Sequence, residues 1–294
     1  MAKILDGKKL SADIADELRR KMKGFKTPPT LAIVQVGDRP ESNAYILRKK
    51  NYGESIGATV IHVKLPENIS EASLLKEVEK LNQDKKVNGI IVQQPLPKHI
   101  DKKKAVESVA FEKDVDGLRL CNVEMLYEGA SGADNPDHKH LGFIPATAKG
   151  VMTMLKSYKI SLEGKRALVI GRSMLVGRPV ALLLLNENAT VTIAHSKTKN
   201  LKKLCLESDI IVAAVGSPKM IKKGFFKKGQ VIVDVGINAV GNPKEGGSRK
   251  LVGDVDFNEA MKVVSYISPV PGGAGPMTVV SLFENLLEAK KEQE

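Results

Sequence analysis

Two groups of residues in this chain have types and spacings that could do chemistry. Tyr45 and Lys49 stand four residues apart in a stretch with helical patterning, so they share one helix face. A lysine can shuttle protons when burial or neighbouring cations lower its pKa. Arg48 and Lys50 supply positive charge nearby, although on a helix their side chains point in other directions. Spacing alone favours the plainer reading, an exposed basic helix with one half-buried tyrosine. Short-chain dehydrogenases share the Tyr-x-x-x-Lys spacing but place it downstream of an N-terminal nucleotide turn. Here the pair lies more than a hundred residues upstream of the candidate turn, an order that argues against that class.

The second group is Gly171-Arg172-Ser173-Met174-Leu175-Val176-Gly177, between the apolar run Arg166–Ile170 and a helical pattern over 176–186. A dinucleotide fingerprint G-x-G-x-x-G would place glycines at 171, 173 and 176. Only Gly171 fits; Ser173 replaces the second glycine, and the third is displaced to Gly177. Strand, turn and helix nonetheless follow in the order that aims helix N–H groups at a phosphate, which favours a nucleotide turn over a merely structural one. After the next strand an NAD site would carry an acid for the ribose hydroxyls. This chain has His195-Ser196-Lys197-Thr198 there. Ser196, Lys197 and Arg172 suit a 2′-phosphate, which a carboxylate would repel, so NADP is expected.

The elements that must position these groups alternate. Helical spacing covers 7–25, 41–56 and 70–81, and strands are expected at 31–36, 59–63 and 89–92, the last stopped by Pro95 and Pro97. A second series follows at 166–170, 190–194, 209–215, 230–235 and 264–267, closed by a helix over 277–290. Strands separated by helices imply parallel β-α-β units. Between 126 and 142 the pattern lapses into Gly, Ser, Asp, Asn, Pro and His, read as a surface loop. Its Asp137-His138-Lys139-His140 offers two metal-ligand types in an irregular segment, and a solvated insertion is the better reading.

Bulk properties exclude several classes. The 294 residues are 42% hydrophobic, as in globular proteins. No apolar run nears the roughly 20 residues that span a bilayer, and the first residues lack a secretory pattern. Cys121 and Cys205 make no disulfide framework, so a reducing, cytoplasmic setting is expected. The net charge of +12 is spread in short lysine groups such as 102–104 and 222–223. With 4% aromatics and no tryptophan there is little to stack on nucleic-acid bases. A solvated cationic surface is the reading, and a polyanion-binding protein is the rival from another class.

Taken together, the segments resemble the bifunctional methylenetetrahydrofolate dehydrogenase/cyclohydrolase family over nearly the whole chain. The resemblance rests on Val36-Gly37-Asp38 with Pro40, Ser42 and Tyr45 to Lys49; on Val92-Gln93-Gln94-Pro95-Leu96-Pro97; and on Lys113-Asp114-Val115-Asp116-Gly117. It continues through Gly171-Arg172-Ser173, His195-Ser196 and Val235-Gly236-Ile237-Asn238, and closes with Pro269 to Thr278. It implies oxidation of 5,10-methylenetetrahydrofolate by NADP, then hydrolysis to 10-formyltetrahydrofolate. Lys49 would be the acid/base residue of the hydrolysis, Gln93 its hydrogen-bond partner, Tyr45 a platform for the aminobenzoate ring and Asp116 the acceptor for the pterin. Val92, Gln94 and the Pro271-Gly272-Gly273-Ala274-Gly275 loop would line the folate, the glycines allowing close backbone approach. Thr147, Gly171, Arg172, Ser173, Gly177, His195, Ser196 and Ile237 would hold the cofactor, with no metal required.

The expected fold is α/β, with two α/β domains across a cleft and the C-terminal one a Rossmann-like, doubly wound parallel sheet. Residues 1–143, completed by a C-terminal helix over 276–294, would bind folate, and residues 144–275 would bind NADP. A homodimer is what the family implies. The chain departs from the family pattern at Ala146 and Ala148 (Pro-Cys-Thr-Pro is usual), Ala194, Ala274 and Gln94. None of these removes a proposed acid/base group. An NAD-dependent or dehydrogenase-only relative of the same fold is the alternative.

Overall fold

A computed structural model describes residues 1–127, 142–241 and 250–294. The Asp137–His140 segment therefore lies outside the described residues. In chain order the first elements are β1 (Lys3–Ile4), α1 (Gly7–Met22), β2 (Thr30–Val36), α2 (Pro40–Ile56), β3 (Thr59–Leu65), α3 (Glu71–Gln83), β4 (Gly89–Val92), α4 (Lys102–Glu107) and α5 (Leu120–Met125). There follow α6 (Ala146–Ser157), β5 (Arg166–Ile170), α7 (Gly177–Asn186), β6 (Thr190–Ala194), α8 (Leu201–Glu207), β7 (Ile210–Ala213) and β8 (Val231–Asp234). The last are β9 (Asn238–Val240), β10 (Lys250–Val252), α9 (Phe257–Met261), β11 (Tyr266–Ile267) and α10 (Ala274–Glu292). The chain divides into two compact units, one of residues 13–146 with 279–294, the other of residues 1–12 with 147–278. Among the described residues no helix is long and apolar enough to cross a membrane.

The first unit holds a three-stranded parallel sheet in the order β3-β2-β4. Every residue of β2 is buried, as expected of a central parallel strand covered on both faces. Ala32, Val34 and Val36 share one core with Leu74 and Val78 of α3 and with Ile90 and Val92 of β4. Helix α2 starts on Pro40, whose fixed φ suits a first helical position. It stops at Gly57, in the left-handed region at φ 91°, with its N–H bonded to the Glu54 carbonyl at 3.2 Å. Phe283 of α10 is fully buried against α2, where Gly53 makes room for its ring.

The second unit holds a six-stranded parallel sheet in the order β1-β11-β8-β7-β5-β6. Strand order reverses between β5 and β7: β6 lies on one side of β5, and β7, β8 and β11 lie on the other. In such sheets the crevice outside the carboxyl ends of the strands at this reversal is where ligands bind. Leu168, Ile170, Ile211, Ala213 and Ile232 pack into one core there. A separate antiparallel pair joins β9 and β10.

Several expectations need correction. A boundary near 143 would put the first residues with the N-terminal domain, but β1 pairs in parallel with β11 and carries residues 1–12 into the second unit. Helix α10 begins at Ala274, so Ala274 and Gly275 are its first turn and not part of a loop. The 264–267 strand contracts to Tyr266–Ile267, whereas β3 runs two residues further than expected, to Leu65. Helix α6 and the β9/β10 pair were not expected.

Gly53 offers a test of this packing. A Cβ there would sit 2.5 Å from Phe283 Cζ and 2.7 Å from Val60 Cγ2. Gly53→Ala gains about 1 kcal/mol of helix propensity, but overpacking costs about 1–3 kcal/mol. Urea melts should show net destabilisation of up to about 2 kcal/mol; a stabilised variant would contradict the packing.

Candidate functional site

In the first unit, the sheet and its covering helix bring Lys49 and Gln93 together. Lys49 lies on the buried face of α2 at 8% exposure, and Gln93 leaves β4 with its N–H bonded to the Val34 carbonyl at 2.8 Å. Lys49 Nζ donates to Gln93 Oε1 at 3.0 Å. The other end of that amide is also fixed, since Gln93 Nε2 donates to the Gln94 carbonyl at 2.8 Å. Burial lowers the Lys49 pKa, opposed by the negative charge of Asp116. Burial conversely raises the Asp116 pKa, opposed by Lys49. Desolvation wins at both groups, so amine and carboxyl are each pushed toward their neutral forms.

Arg48 and Lys50 take no part in this. The Arg48 guanidinium sits over the Tyr45 ring, 5.7 Å from its centroid, and Lys50 faces Glu54 at 3.8 Å. Tyr45 is half-buried one turn before Lys49, and burial raises its pKa. Val92 is buried, and Gln94 is half-buried with its Nε2 atom lacking a hydrogen-bond partner.

Asp116 is held by its neighbours. Its carbonyl accepts from Ala146 N at 3.2 Å. Gly117, at φ 68°, leaves no room for a Cβ beside the Phe143 carbonyl. Asn285 of α10 donates to the carbonyls of Val115 and Ile144, both at 2.9 Å. The flanking members of the motif are anchors. Lys113 Nζ donates to the carbonyls of Leu81, Asn82 and Asp84 at 2.6–3.1 Å. Asp114 accepts from Arg119 N and Asn122 Nδ2, and burial pushes its carboxyl up to about 7. Sequence reading missed Asn285, because the Val115 and Ile144 groups it holds are backbone carbonyls that leave no mark in a side-chain pattern.

In the second unit, the turn after β5 is built by close backbone approach. Gly171, at φ 122°, abuts the Ala214 carbonyl, and Gly177 abuts the Gly171 carbonyl; a Cβ at either position would overlap. Gly177 therefore does the packing work of the displaced third glycine. Ser173 Oγ accepts from Val176 N at 3.2 Å and from Gly177 N at 3.4 Å, capping the start of α7. Arg172, Ser173, Ser196 and Lys197 are exposed. Past β6, His195 and Thr198 close a small turn through His195 N to Thr198 Oγ1 at 2.8 Å and Lys197 N to His195 Nδ1 at 3.1 Å.

Elsewhere in this unit, Thr278 Oγ1 lies 3.4 Å from Thr147 Oγ1. The Gly272 carbonyl accepts from Lys8 N at 2.9 Å, and Gly7 leaves room for the Gly273 carbonyl. Ile237 is exposed between β8 and β9, near Gly275. Among the described residues no group of three or more His, Cys, Asp or Glu could hold a metal ion. The Gly171–Gly177 cradle, the capped helix and the exposed Arg172, Ser196 and Lys197, with no carboxylate from 195 to 198, fit a dinucleotide carrying an extra phosphate.

Fold and site thus define a two-unit α/β enzyme with a nucleotide turn in one unit and a buried, hydrogen-bonded lysine in the other. Two family models match it. One is the tetrahydrofolate dehydrogenase/cyclohydrolase catalytic domain, over residues 5–116. The other is the NAD(P)-binding domain of the same family, over residues 145–294. The bifunctional protein FolD of Listeria innocua is 44% identical, covering 99% of this chain and 98% of its own. The crystal structure of the bifunctional methylenetetrahydrofolate dehydrogenase/cyclohydrolase of Campylobacter jejuni superposes with a TM-score of 0.92 at 43% identity, covering 100% of both chains. The Trypanosoma brucei dehydrogenase-cyclohydrolase, solved with NADP cofactor and an inhibitor, gives a TM-score of 0.92 at 36% identity, covering 99% of this chain and 98% of its own. The chain belongs to the tetrahydrofolate dehydrogenase/cyclohydrolase family.

The balance at Lys49 makes a signed prediction. In Asp116→Asn the amine loses the one charge among the described residues that raises its pKa, so its titration should move further below the ordinary lysine value. Titration of the Lys49 side-chain nitrogen by ¹⁵N NMR should show the downward shift; no shift, or an upward one, would contradict the coupling.

Proposed function

We propose that this chain oxidises 5,10-methylenetetrahydrofolate to the methenyl form with NADP and hydrolyses that product to 10-formyltetrahydrofolate. One observation carries the reading: a buried amine, held by Gln93 and facing the charge of Asp116, belongs to a chain that also presents a nucleotide turn. Family membership supports both halves, and the NADP-bound T. brucei relative supports the choice of cofactor.

NADP, when bound, accepts a hydride, and the protein's part in that step is alignment. Gly171, Ser173 and Gly177 would receive the pyrophosphate side, and Arg172, Ser196 and Lys197 the 2′-phosphate. His195, Thr147 and Ile237 complete the proposed contacts.

Hydrolysis does need proton transfer. Water adds its oxygen to the methenyl carbon, the bond from that carbon to N5 breaks, and N5 keeps the electron pair. A neutral Lys49 takes the proton from the attacking water and, as ammonium, can return it to N5; one proton is released overall. Gln93 holds Nζ in place through the change of charge, because its Oε1 can accept from the amine or the ammonium. Asp116 would accept hydrogen bonds from the pterin, with Tyr45 against the aminobenzoate ring.

We further propose a homodimer in the cytoplasm. Among the described residues β3 is an edge strand with Ile61 exposed, a surface suited to a second copy. Cys121 and Cys205 are both free thiols, which suits a reducing compartment.

The test supplies purified protein with methylenetetrahydrofolate and NADP or NAD, following reduced cofactor and methenyl intermediate separately. NADP should be reduced in preference to NAD, and no reduced nucleotide from either would sink the proposal. Lys49→Met should nearly abolish hydrolysis while leaving dehydrogenase activity; equal survival of both would remove Lys49 from the mechanism.

A further inference from the structure

The carboxyl edge of the six-stranded sheet contains two buried carboxylates that the reaction above does not use. Asp234 ends β8 at 3% exposure and Asp254 follows β10 at 0%. Neither has an ion-pair partner among the described residues; each is satisfied by N–H donors. Asp254 Oδ2 accepts from Val215 N at 2.6 Å and Gly216 N at 3.0 Å. Its Oδ1 accepts from Ser217 N at 2.8 Å and Asn238 Nδ2 at 2.9 Å. Asp234 in turn fixes the backbone that carries Asp254, accepting from Asp254 N and Gly236 N at 3.0 Å and from Val255 N at 2.9 Å. Gly236 and Gly253 have no Cβ because one would overlap the Asp254 and Asp234 carboxylates respectively.

These bonds converge on the loops where a nucleotide would lie. Residues 215–217 leave β7, Asn238 follows the exposed Ile237 after β8, and the Ala214 carbonyl is the group that Gly171 closes upon. A continuous set of contacts therefore runs from Asp254 through 214–217 to the start of the nucleotide turn. A carboxylate is needed at its root, since an acceptor-only group alone can face four donors at once.

We propose that Asp254 is the positioning residue of the dehydrogenase half-reaction, setting the turn after β7 and the Ile237–Asn238 segment in the register that receives NADP. The inference rests on the proposed NADP-dependent oxidation. It predicts a division between the two activities, because hydrolysis of methenyltetrahydrofolate requires no nucleotide.

The experiment compares wild type, Asp254→Asn and Asn238→Ala as full chains. It measures KM for NADP and kcat for oxidation, and separately the rate of methenyltetrahydrofolate hydrolysis without nucleotide. The amide of Asp254→Asn must turn an NH2 toward at least one N–H donor, so KM for NADP should rise about tenfold. Hydrolysis should stay within about twofold of wild type, and Asn238→Ala should move KM in the same direction by less. In Asp254→Asn, the further change Asn238→Asp restores a donor–acceptor pair and should recover part of the NADP affinity.

An unchanged KM for NADP, or a loss shared equally by oxidation and hydrolysis, would overturn the proposal. If Asp254→Asn fails to fold, Asn238→Ala decides alone on the same division. Wild type reducing no nucleotide would instead overturn the proposed oxidation, which separates the two failures.

Discussion

An ammonium group taken out of water needs replacement partners or must give up its charge, and Lys49 does some of each. Among the described residues its three donors meet one hydrogen-bond acceptor, Gln93 Oε1, and the nearby charge of Asp116. Full pairing with a carboxylate would hold the lysine as a permanent cation with no use as a base. Full burial without partners would cost several kcal/mol and favour another rotamer. The intermediate arrangement is what the proposed proton exchange requires, and the packing of the first unit holds the amine in it.

That service can be followed outward. Gln93 is placed by the end of β4, β4 by its pairing with the wholly buried β2, and Lys49 by the packing of α2. Asp116 depends on more distant parts, with Lys113 tying its segment to the end of α3 and Asn285 reaching in from α10. The second unit solves a different problem by different means. There the constraint is close backbone approach, met by glycines at 171 and 177, while Asp254 gathers the main-chain N–H groups that follow β7.

Legibility in the sequence followed the kind of interaction. Strands β2, β4, β5 and β7 announce themselves as continuous apolar runs, as buried parallel strands should. The Tyr45/Lys49 pair shares a helix face by spacing, but only the fold brings Gln93 and Asp116 to it, from 44 and 67 residues further along. Helix α6 was hidden by Gly150 in its middle, which reads as a break. The position is glycine because a Cβ would lie 2.8 Å from the Met277 backbone. Strand β1 was hidden by its length of two residues. The Asp234/Asp254 pair was hidden more thoroughly, since apart from Asn238 Nδ2 its named partners are backbone N–H groups, which every residue but proline carries.

The central claim is that Lys49 acts as a base because burial lowers its pKa. The most direct measurement is the pH dependence of methenyltetrahydrofolate hydrolysis at saturating substrate, corrected for the uncatalysed reaction. The rate should rise with pH along a limb set below the ordinary lysine value of about 10.5. That limb should vanish in Lys49→Arg, whose guanidinium does not deprotonate. A flat profile, or the same limb persisting in Lys49→Arg, would contradict the account.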